Sequence, residues 1–239
     1  MNPDAAGTKA LVFDVFGTVV DWHGSVAREV RALAKSKGLR VNAAKFAKSW
    51  RAGYRPAMDR VLRGEAPFEK IDVIHRAILE EVLKQFRVTT LTEDEKVGLN
   101  LVWHRLKPWS DAVRGLKRLK SRFVIATLSN GNTSLLVNMA KHGGLPWDCA
   151  FSSDTFKLFK PDPGMYLGAV SMLDLEPGEV MMVAAHKPDL RAAAKCGLKT
   201  AFVKRPLEHG RGAMLDLASE PEFTVNAESF LELAGQLGC

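Results

Sequence analysis

The stretch Lys9-Ala-Leu-Val-Phe-Asp14-Val-Phe16-Gly17-Thr18 places a carboxylate where a short apolar run stops. The run is rich in strand-forming residues, and Gly17 allows the backbone to turn sharply just after it. Asp14 is therefore expected at the carboxyl end of a buried strand. Ligands of open α/β sheets bind outside those ends, so Asp14 is a candidate nucleophile facing substrate. The alternative is an aspartate that only caps the next helix.

Three later segments carry the polar groups that a nucleophilic aspartate needs. Residues 123–128 form a strand-like run that ends in Ser129-Asn130-Gly131. Lys160 lies between Phe159 and Pro161, in a loop that prolines fix before a helix near residue 164. Residues 180–183 form a third apolar run, which leads to Asp189. Three predicted strands thus deliver polar groups to one edge of the sheet.

In this order the segments resemble the four motifs of the haloacid dehalogenase superfamily and, within it, the type II 2-haloacid dehalogenases. Residues 14–18 match the first motif, 128–131 the second, 160–162 the third, and the segment ending in Asp189 the fourth. The resemblance extends from about residue 9 to about residue 210. Four motifs in the right order on the right kinds of element are far more specific than any one of them.

The residue two positions after Asp14 discriminates between branches of the superfamily. The resemblance implies that phosphatases and mutases carry a second aspartate there, which protonates an alkoxide, and bind magnesium through further carboxylates of the fourth motif. Phe16 can neither donate a proton nor bind a metal, whereas a halide leaves unprotonated. Asp189 is the only carboxylate of the fourth motif, too few ligands for magnesium. We therefore expect no metal and no cofactor.

The resemblance implies covalent catalysis by Asp14, which would attack the carbon bearing the halogen. Halide would leave, and water would hydrolyse the aspartyl ester and regenerate the carboxylate. Lys160 would keep Asp14 ionised and help to hold the substrate carboxylate, with the Ser129 hydroxyl and the N–H groups after Asp14 as further donors. A solvated surface lysine is the alternative for Lys160.

Hydrolysis of the ester needs a group that orients or deprotonates water. The resemblance gives Asp189 as the first candidate, and His186, three residues earlier, is the second. Here the chain departs from the best-known type II pattern, which carries a serine and an asparagine where this chain has Ala184 and His186. The alternatives are a structural His186 and an Asp189 that stabilises a helix N-terminus.

A departing halide requires a polar but dehydrated environment. Arg51, beside Trp50, lies in a helical segment that resembles the cap helix carrying the halide-binding arginine, and arginine stays charged when partly buried. The Asn130 amide is the second candidate donor. The remaining candidates for binding substrate or halide lie in or just after the first motif and are Phe16, Thr18 and Trp22. The two aromatic residues could form a wall of the pocket or belong to the ordinary hydrophobic core.

Hydrophobic periodicity predicts helices between the first two strands and an α/β pattern elsewhere. The predicted helices cover residues 25–37, 43–62, 68–86 and 92–106, the last with a Thr92-x-x-Glu95 capping box. Strands are expected near 9–14, 122–128, 180–184, 199–203 and 223–225. We interpret residues 22–108 as an inserted helical cap domain, and residues 1–21 and 109–239 as a doubly wound, Rossmann-like α/β core domain with a parallel sheet.

Composition is compatible with this organisation. A chain of 239 residues with 46% apolar content can bury one sizeable core plus a small second domain. No apolar stretch approaches the ~20 residues of a membrane span, and the N-terminus does not resemble a signal peptide. Three widely spaced cysteines favour free thiols in a reducing cytoplasm. The net charge of +7 is spread along the chain, so nucleic-acid binding is a weak rival.

The sequence thus predicts a hydrolase acting on carbon–halogen bonds of short 2-haloacids, by the resemblance an (S)-2-haloacid dehalogenase with a small anionic substrate. The alternatives are a superfamily phosphatase acting on a small phosphorylated metabolite and a non-catalytic binding module on the same fold. The preferred halogen, chain length and enantiomer depend on pocket dimensions and stay open. Homodimers are frequent among relatives, and a homodimer is an open possibility.

Overall fold

Six short apolar segments form a parallel sheet at the centre of the protein, whose computed structural model describes residues 2–239. Because both faces are covered by helices, the strands are continuous apolar runs rather than alternating ones. The strands are β1 (Ala10–Phe13), β4 (Val124–Ser129), β5 (Cys149–Ser152), β6 (Val180–Ala184), β7 (Lys199–Val203) and β8 (Val225–Ala227). The order across the sheet is β5-β4-β1-β6-β7-β8, and every neighbouring pair is parallel.

The five predicted strands are confirmed, with the last one shifted to residues 225–227. Strand β5 was not predicted. Its sequence, Cys-Ala-Phe-Ser, is short and has no alternation or β-branched residues, so only its pairing with β4 at the sheet edge makes it a strand.

Side chains alternate between the two faces of the sheet and fill two hydrophobic clusters, as a doubly wound fold requires. The helices that cover the sheet are α6 (Ala112–Lys120), α7 (Thr133–Gly143), α8 (Ser153–Phe156), α9 (Pro163–Met172), α10 (Lys187–Lys195) and α11 (Phe230–Gln236). Leu11 and Phe13 of β1 pack in the cluster that contains residues of α6, α7 and α11, whereas Ala10 and Val12 pack with α9 and α10.

Five helices lie between two short strands, β2 (Val20–Asp21) and β3 (Lys107–Pro108), which pair antiparallel. They are α1 (Trp22–Ser36), α2 (Ala43–Ala52), α3 (Tyr54–Leu62), α4 (Ile71–Gln85) and α5 (Glu93–Asn100). Thr92 and Glu95 form the expected capping box of α5. After α5 the chain tightens into a 3₁₀ helix over Leu101–Arg105, instead of continuing as α-helix to residue 106.

The single helix predicted over residues 43–62 is wrong, because the chain breaks at Gly53 into α2 and α3. Pro56 lacks an N–H to bond the carbonyl of Ala52 and its ring would clash there, so an unbroken helix is disfavoured. Gly53 also lies against α4. A Cβ at this position would be 2.6 Å from Cγ2 of Ile78, so a side chain would force the helices apart.

In the described part of the chain, residues 2–239, no helix is both long and apolar enough to cross a bilayer.

Candidate active site

The carboxyl ends of β1, β4 and β6 place the motif residues around one pocket. Strand β1 lies between β4 and β6, so Asp14 after β1, Asn130 after β4 and His186 after β6 follow neighbouring strands. Lys160 comes from the loop before α9. The pocket has a volume of about 670 Å³, and all four of these residues line it.

Asp14 is buried and accepts three side-chain hydrogen bonds. Its Oδ1 accepts from Lys160 Nζ at 3.1 Å, and its Oδ2 accepts from Thr18 Oγ1 at 2.7 Å and from His186 Nδ1 at 3.0 Å. Burial alone would raise the pKa of Asp14, but the charge of Lys160 and the hydrogen bond from His186 outweigh it and lower that pKa far below its usual range. Asp14 is thus an ionised carboxylate.

Lys160 connects two carboxylates beneath the pocket. Its Nζ donates to Asp14 and, through a short contact, to Oδ2 of Asp189. Burial opposes the charged amine, yet the two carboxylates raise the pKa of Lys160 above its ordinary value. The Tyr166 hydroxyl donates to the other oxygen of Asp189 at 2.6 Å. Both oxygens of Asp189 are therefore occupied, and the chain Tyr166–Asp189–Lys160–Asp14 is continuous.

Tyr166 was missed at the sequence level. It is fully buried in α9, a helix whose composition is apolar throughout, and its sequence neighbours suggest ordinary core. Only its spacing of six residues from Lys160, across the start of the helix, could have indicated that it reaches the same site.

His186 lies between two carboxylates. Its Nδ1 is 3.0 Å from Asp14 Oδ2 and its Nε2 is 2.9 Å from Glu208 Oε1, while the Trp22 indole N–H donates to the same Glu208 oxygen at 3.1 Å. Burial disfavours the imidazolium, but the hydrogen bonds to the two carboxylates favour it more and raise the pKa of His186 to about 10. Glu208 was also missed, because nothing in its loop sequence marks it.

Arg51 of α2 reaches the pocket across three aromatic rings. Its guanidinium carbon is 4.1 Å from the ring centre of Tyr54, 5.7 Å from that of Phe16 and 5.8 Å from that of Trp22. Its Nη1 is buried without a hydrogen-bond partner among the described residues. A cation held by aromatic faces, with a donor left free, is suited to bind an anion.

The two polar residues after β4 differ in environment. Asn130 lines the pocket, and its Oδ1 accepts from the Lys160 N–H at 2.7 Å, while its Nδ2 is 3.2 Å from Met58 Sδ. The amide thus holds the backbone of the Lys160 loop. Ser129 is fully buried, and its Oγ accepts from the Gly131 N–H at 3.2 Å. Thr18 bonds Asp14 and also accepts from the Ala185 N–H at 2.9 Å, which ties the first motif to the fourth.

The donor set does not fit magnesium. Phe16 stands at the position of a second carboxylate, and both oxygens of Asp189 are already engaged, one by Lys160 and one by Tyr166. Among residues 2–239, no group of three or more His, Cys, Asp or Glu side chains is arranged to hold a metal ion.

A doubly wound α/β sheet with an ionised aspartate under a pocket at the end of its first strand is the architecture of the haloacid dehalogenase superfamily. Residues 8–197 match the model of the haloacid dehalogenase-like hydrolases, and the chain belongs to this family.

Individual relatives agree with this assignment. The crystal structure of the defluorinating L-2-haloacid dehalogenase Rha0230 is similar to the whole chain, with 44% identity, a TM-score of 0.96 and coverage of 98% of that protein. The (S)-2-haloacid dehalogenase 1 of Pseudomonas sp. (strain CBS-3) is 31% identical over 82% of this chain and 85% of its own. At 25% identity, over 81% of this chain and 84% of its own, the chain also resembles the phosphoglycolate phosphatase of Aquifex aeolicus (strain VF5).

Proposed function

We propose that the protein hydrolyses the carbon–halogen bond of short (S)-2-haloacids and releases halide and a 2-hydroxyacid. One observation carries this proposal: an ionised carboxylate, Asp14, lines the same pocket as Arg51, whose Nη1 has no hydrogen-bond partner among residues 2–239. Such a pair offers a nucleophile for the carbon and a binding site for the anion that leaves it. The similarity to L-2-haloacid dehalogenases supports the same reaction.

In the first step a carboxylate oxygen of Asp14 attacks the carbon bearing the halogen, in line with the departing halide. The C–O bond forms, the carbon–halogen bond breaks, and the electron pair leaves with the halide. Inversion at this carbon gives a (2R)-hydroxyacid from an (S)-substrate. Lys160, Thr18 and His186 keep Asp14 ionised, which is the state that attacks.

Arg51 is proposed to bind the departing halide, on a wall formed by Phe16, Tyr54 and Trp22. Asn130 contributes by fixing the Lys160 loop, and its Nδ2 faces Met58. Ser129 stabilises the turn at Gly131 behind the site.

We further propose that residues 22–108 act as a cap domain over a core formed by residues 1–21 and 109–239. The support is that Arg51, Tyr54 and Met58, from the helices between β2 and β3, line the pocket opposite the motif residues at the sheet edge. A cytoplasmic location agrees with the three free cysteines. A homodimer stays an open possibility that size measurement of the pure protein would test.

The phosphatase alternative is weaker. Phe16 cannot protonate an alkoxide leaving group, and Asp189 is the only carboxylate of the fourth motif, which is too few ligands for magnesium. Phosphoryl transfer would therefore lack both the acid and the metal that the resemblance requires.

The test is a halide-release screen over fluoroacetate, chloroacetate, bromoacetate and the two enantiomers of 2-chloropropionate. Release is expected from the achiral haloacetates and from the (S) enantiomer of 2-chloropropionate, and Asp14→Asn should abolish it because an amide is not a nucleophile of this kind. Asp94→Asn, an exposed change on α5, is the matched control and should behave as the wild type. If no haloacid releases halide and the protein hydrolyses p-nitrophenyl phosphate in a magnesium-dependent reaction, the phosphatase hypothesis is correct.

A further inference from the structure

Glu208 lies against the site but belongs to none of the four motifs. We infer that Glu208 is a positioning residue that holds His186 as the base for the water that hydrolyses the Asp14 ester. The inference rests on the proposed function and assigns its second half-reaction. The geometry is a chain of three side chains, with Glu208 bonded to His186 Nε2 and Asp14 bonded to Nδ1, at 2.9 and 3.0 Å.

The position of Glu208 is built into the fold. Its side chain is only 6% exposed, and the Trp22 indole N–H fixes the oxygen that bonds His186. Gly17 makes room for it, because a Cβ at residue 17 would lie 2.2 Å from Glu208 Oε1, and the φ of +88° there also favours glycine. Gly17, Trp22 and the loop after β7 thus together place the Glu208 carboxylate next to the His186 imidazole.

Formation of the ester changes the surroundings of His186. In the free enzyme the imidazolium donates to two carboxylates. In the ester, Asp14 is neutral, and Glu208 is the single carboxylate that still contacts the ring. The pKa of His186 therefore falls in the ester, and Nδ1 loses its proton to solvent, which reaches the side chain because about one third of it is exposed. Glu208 keeps the proton on Nε2, so that the Nδ1 lone pair is free to accept a proton from the water that attacks the Asp14 ester.

The protons and electrons balance over the hydrolysis. Water oxygen forms a bond to Cγ of Asp14 as its proton passes to His186 Nδ1. The tetrahedral intermediate collapses, the Cγ–O bond to the former substrate breaks, and His186 returns that proton to the leaving alkoxide. The carboxylic acid left on Asp14 gives its proton to His186, which restores the imidazolium and the carboxylate. The proton released to solvent after ester formation is the one that accompanies halide in the overall reaction.

Asp189 is less suited to this step. One of its oxygens accepts from Lys160 and the other from Tyr166, and neither contacts His186. Its role in the inferred mechanism is to anchor Lys160 beside Asp14.

The charged groups around His186 set the pH dependence of this step. They follow β1 or come from α2, α3, the Lys160 loop, α10 and the loop after β7. The charged and titratable side chains that line the pocket with His186 are Asp14, Arg51, Arg55, Lys160, Lys187, Asp189, Arg191, Arg205, Glu208, His209 and Asp216. Of these, Asp14 and Glu208 contact the ring, whereas Lys187 is engaged by Asp216 and Glu220 at 2.7 Å. Removing the charge of Glu208 should therefore shift the titration of His186 more than any other single change outside Asp14.

The experiment compares Glu208→Gln with the wild type on one haloacid. The first halide burst should keep nearly its wild-type rate, because Lys160 and Thr18 still hold Asp14 ionised. Steady turnover should fall about 10–100-fold, less than the roughly 10²–10⁴-fold that a positioned general base contributes, because His186 itself is still present. The acid limb of the turnover profile should move about 1–2 pH units lower, since loss of the negative charge lowers the pKa of the imidazole. A mass increase on the peptide containing Asp14 should accumulate.

Glu222→Gln is the matched control, because Glu222 lies in the same loop region and bonds the surface residue Arg191 at 2.8 Å. It should leave burst, turnover and acid limb unchanged. If Glu208→Gln lowers burst and turnover equally and leaves the acid limb in place, Glu208 has only a structural role and the inference is overturned. A wild-type enzyme that gives neither halide nor adduct contradicts the proposed function itself.

Trp22→Phe keeps the test decisive if Glu208→Gln does not fold. This change preserves both charges but removes one donor from Glu208, which leaves the carboxylate a stronger acceptor for His186. The acid limb should then move to higher pH, opposite to the shift in Glu208→Gln. An unmoved limb in Trp22→Phe contradicts the inference.

Discussion

Replacing Lys160 by methionine removes the one cation that separates two buried carboxylates. The Lys160 side chain is 7% exposed, and the carboxylate side chains of Asp14 and Asp189 are 11% and 12% exposed. Methionine fills much of the same volume but donates no hydrogen bond. Asp14 and Asp189 would then face each other in a site that excludes most solvent.

The magnitude follows from the two bonds that are lost. A hydrogen bond to a charged group contributes about 1.5–3 kcal/mol, so two give about 3–6 kcal/mol. Removing one partner of a buried ion pair costs about 3–5 kcal/mol. The two estimates overlap, and we expect the free energy of unfolding to fall by about 3–5 kcal/mol at neutral pH.

The loss should depend on pH with a defined sign. In the wild type, the pKa of Asp14 is lowered from an ordinary value of 3.8, so its stabilisation is present above that value and is lost as pH falls below it. In Lys160→Met, burial is opposed by fewer charges and the pKa of Asp14 rises. The raised pKa of Lys160 keeps the amine charged throughout the acidic and neutral range. The difference between the two proteins should therefore be largest near neutral pH and shrink toward pH ~4.

Urea unfolding at a series of pH values between neutrality and pH ~4 measures this difference. Lys204→Met is the control, because Lys204 forms a surface pair with Glu228, whose side chain is 67% exposed. That change should cost no more than about 1 kcal/mol, with little dependence on pH. A Lys160→Met protein that is destabilised no more than this control, or equally at all pH values, would refute the reasoning.

Three further outcomes are expected. Halide release should persist after exhaustive chelation, because Phe16 replaces a metal-binding carboxylate, and restoration of a lost activity by magnesium would contradict this. Arg51→Ala should slow halide release about 10–100-fold, the loss of one charged hydrogen bond of about 1.5–3 kcal/mol, while circular dichroism shows a folded chain; an unchanged rate would exclude Arg51 from the site. Gly17→Ala should destabilise by about 2 kcal/mol or more, since the positive φ alone costs about 1–2 kcal/mol and the new Cβ meets Glu208; an unchanged Tm would show that Glu208 can move without loss.

The local hydrophobic pattern was sufficient to predict the central strands, which are covered on both faces of the sheet. The runs ending at Phe13, Ser129 and Ala184 are apolar and bounded by turn residues, so they had to be central strands. Because parallel strands present their carboxyl ends at one edge, the sequence also predicted that Asp14, Asn130 and His186 would follow that edge. The sequence also singled out Lys160 and Asp189, and the resemblance added Arg51. The structure places all of these residues on one pocket.

Tertiary structure decided the features that depend on approach between distant segments. Strand β5 has no strong strand pattern and exists because β4 offers an unpaired edge. The break at Gly53 depends on the contact with Ile78, a residue of another helix. A periodic pattern records which face of a segment is buried, but it does not record which segment covers that face.

The polar partners of the site show the same division. The sequence determined that a carboxylate would lie at the end of the first strand, because an apolar run followed by Asp14 and Gly17 has few other folded forms. It did not show that Tyr166 would reach Asp189, or that Glu208 would reach His186, since a hydrogen bond between segments depends on distances set by packing. Only the folded chain, with Gly17 leaving space for the Glu208 carboxylate, decided which charges surround the imidazole and therefore which protonation state it holds.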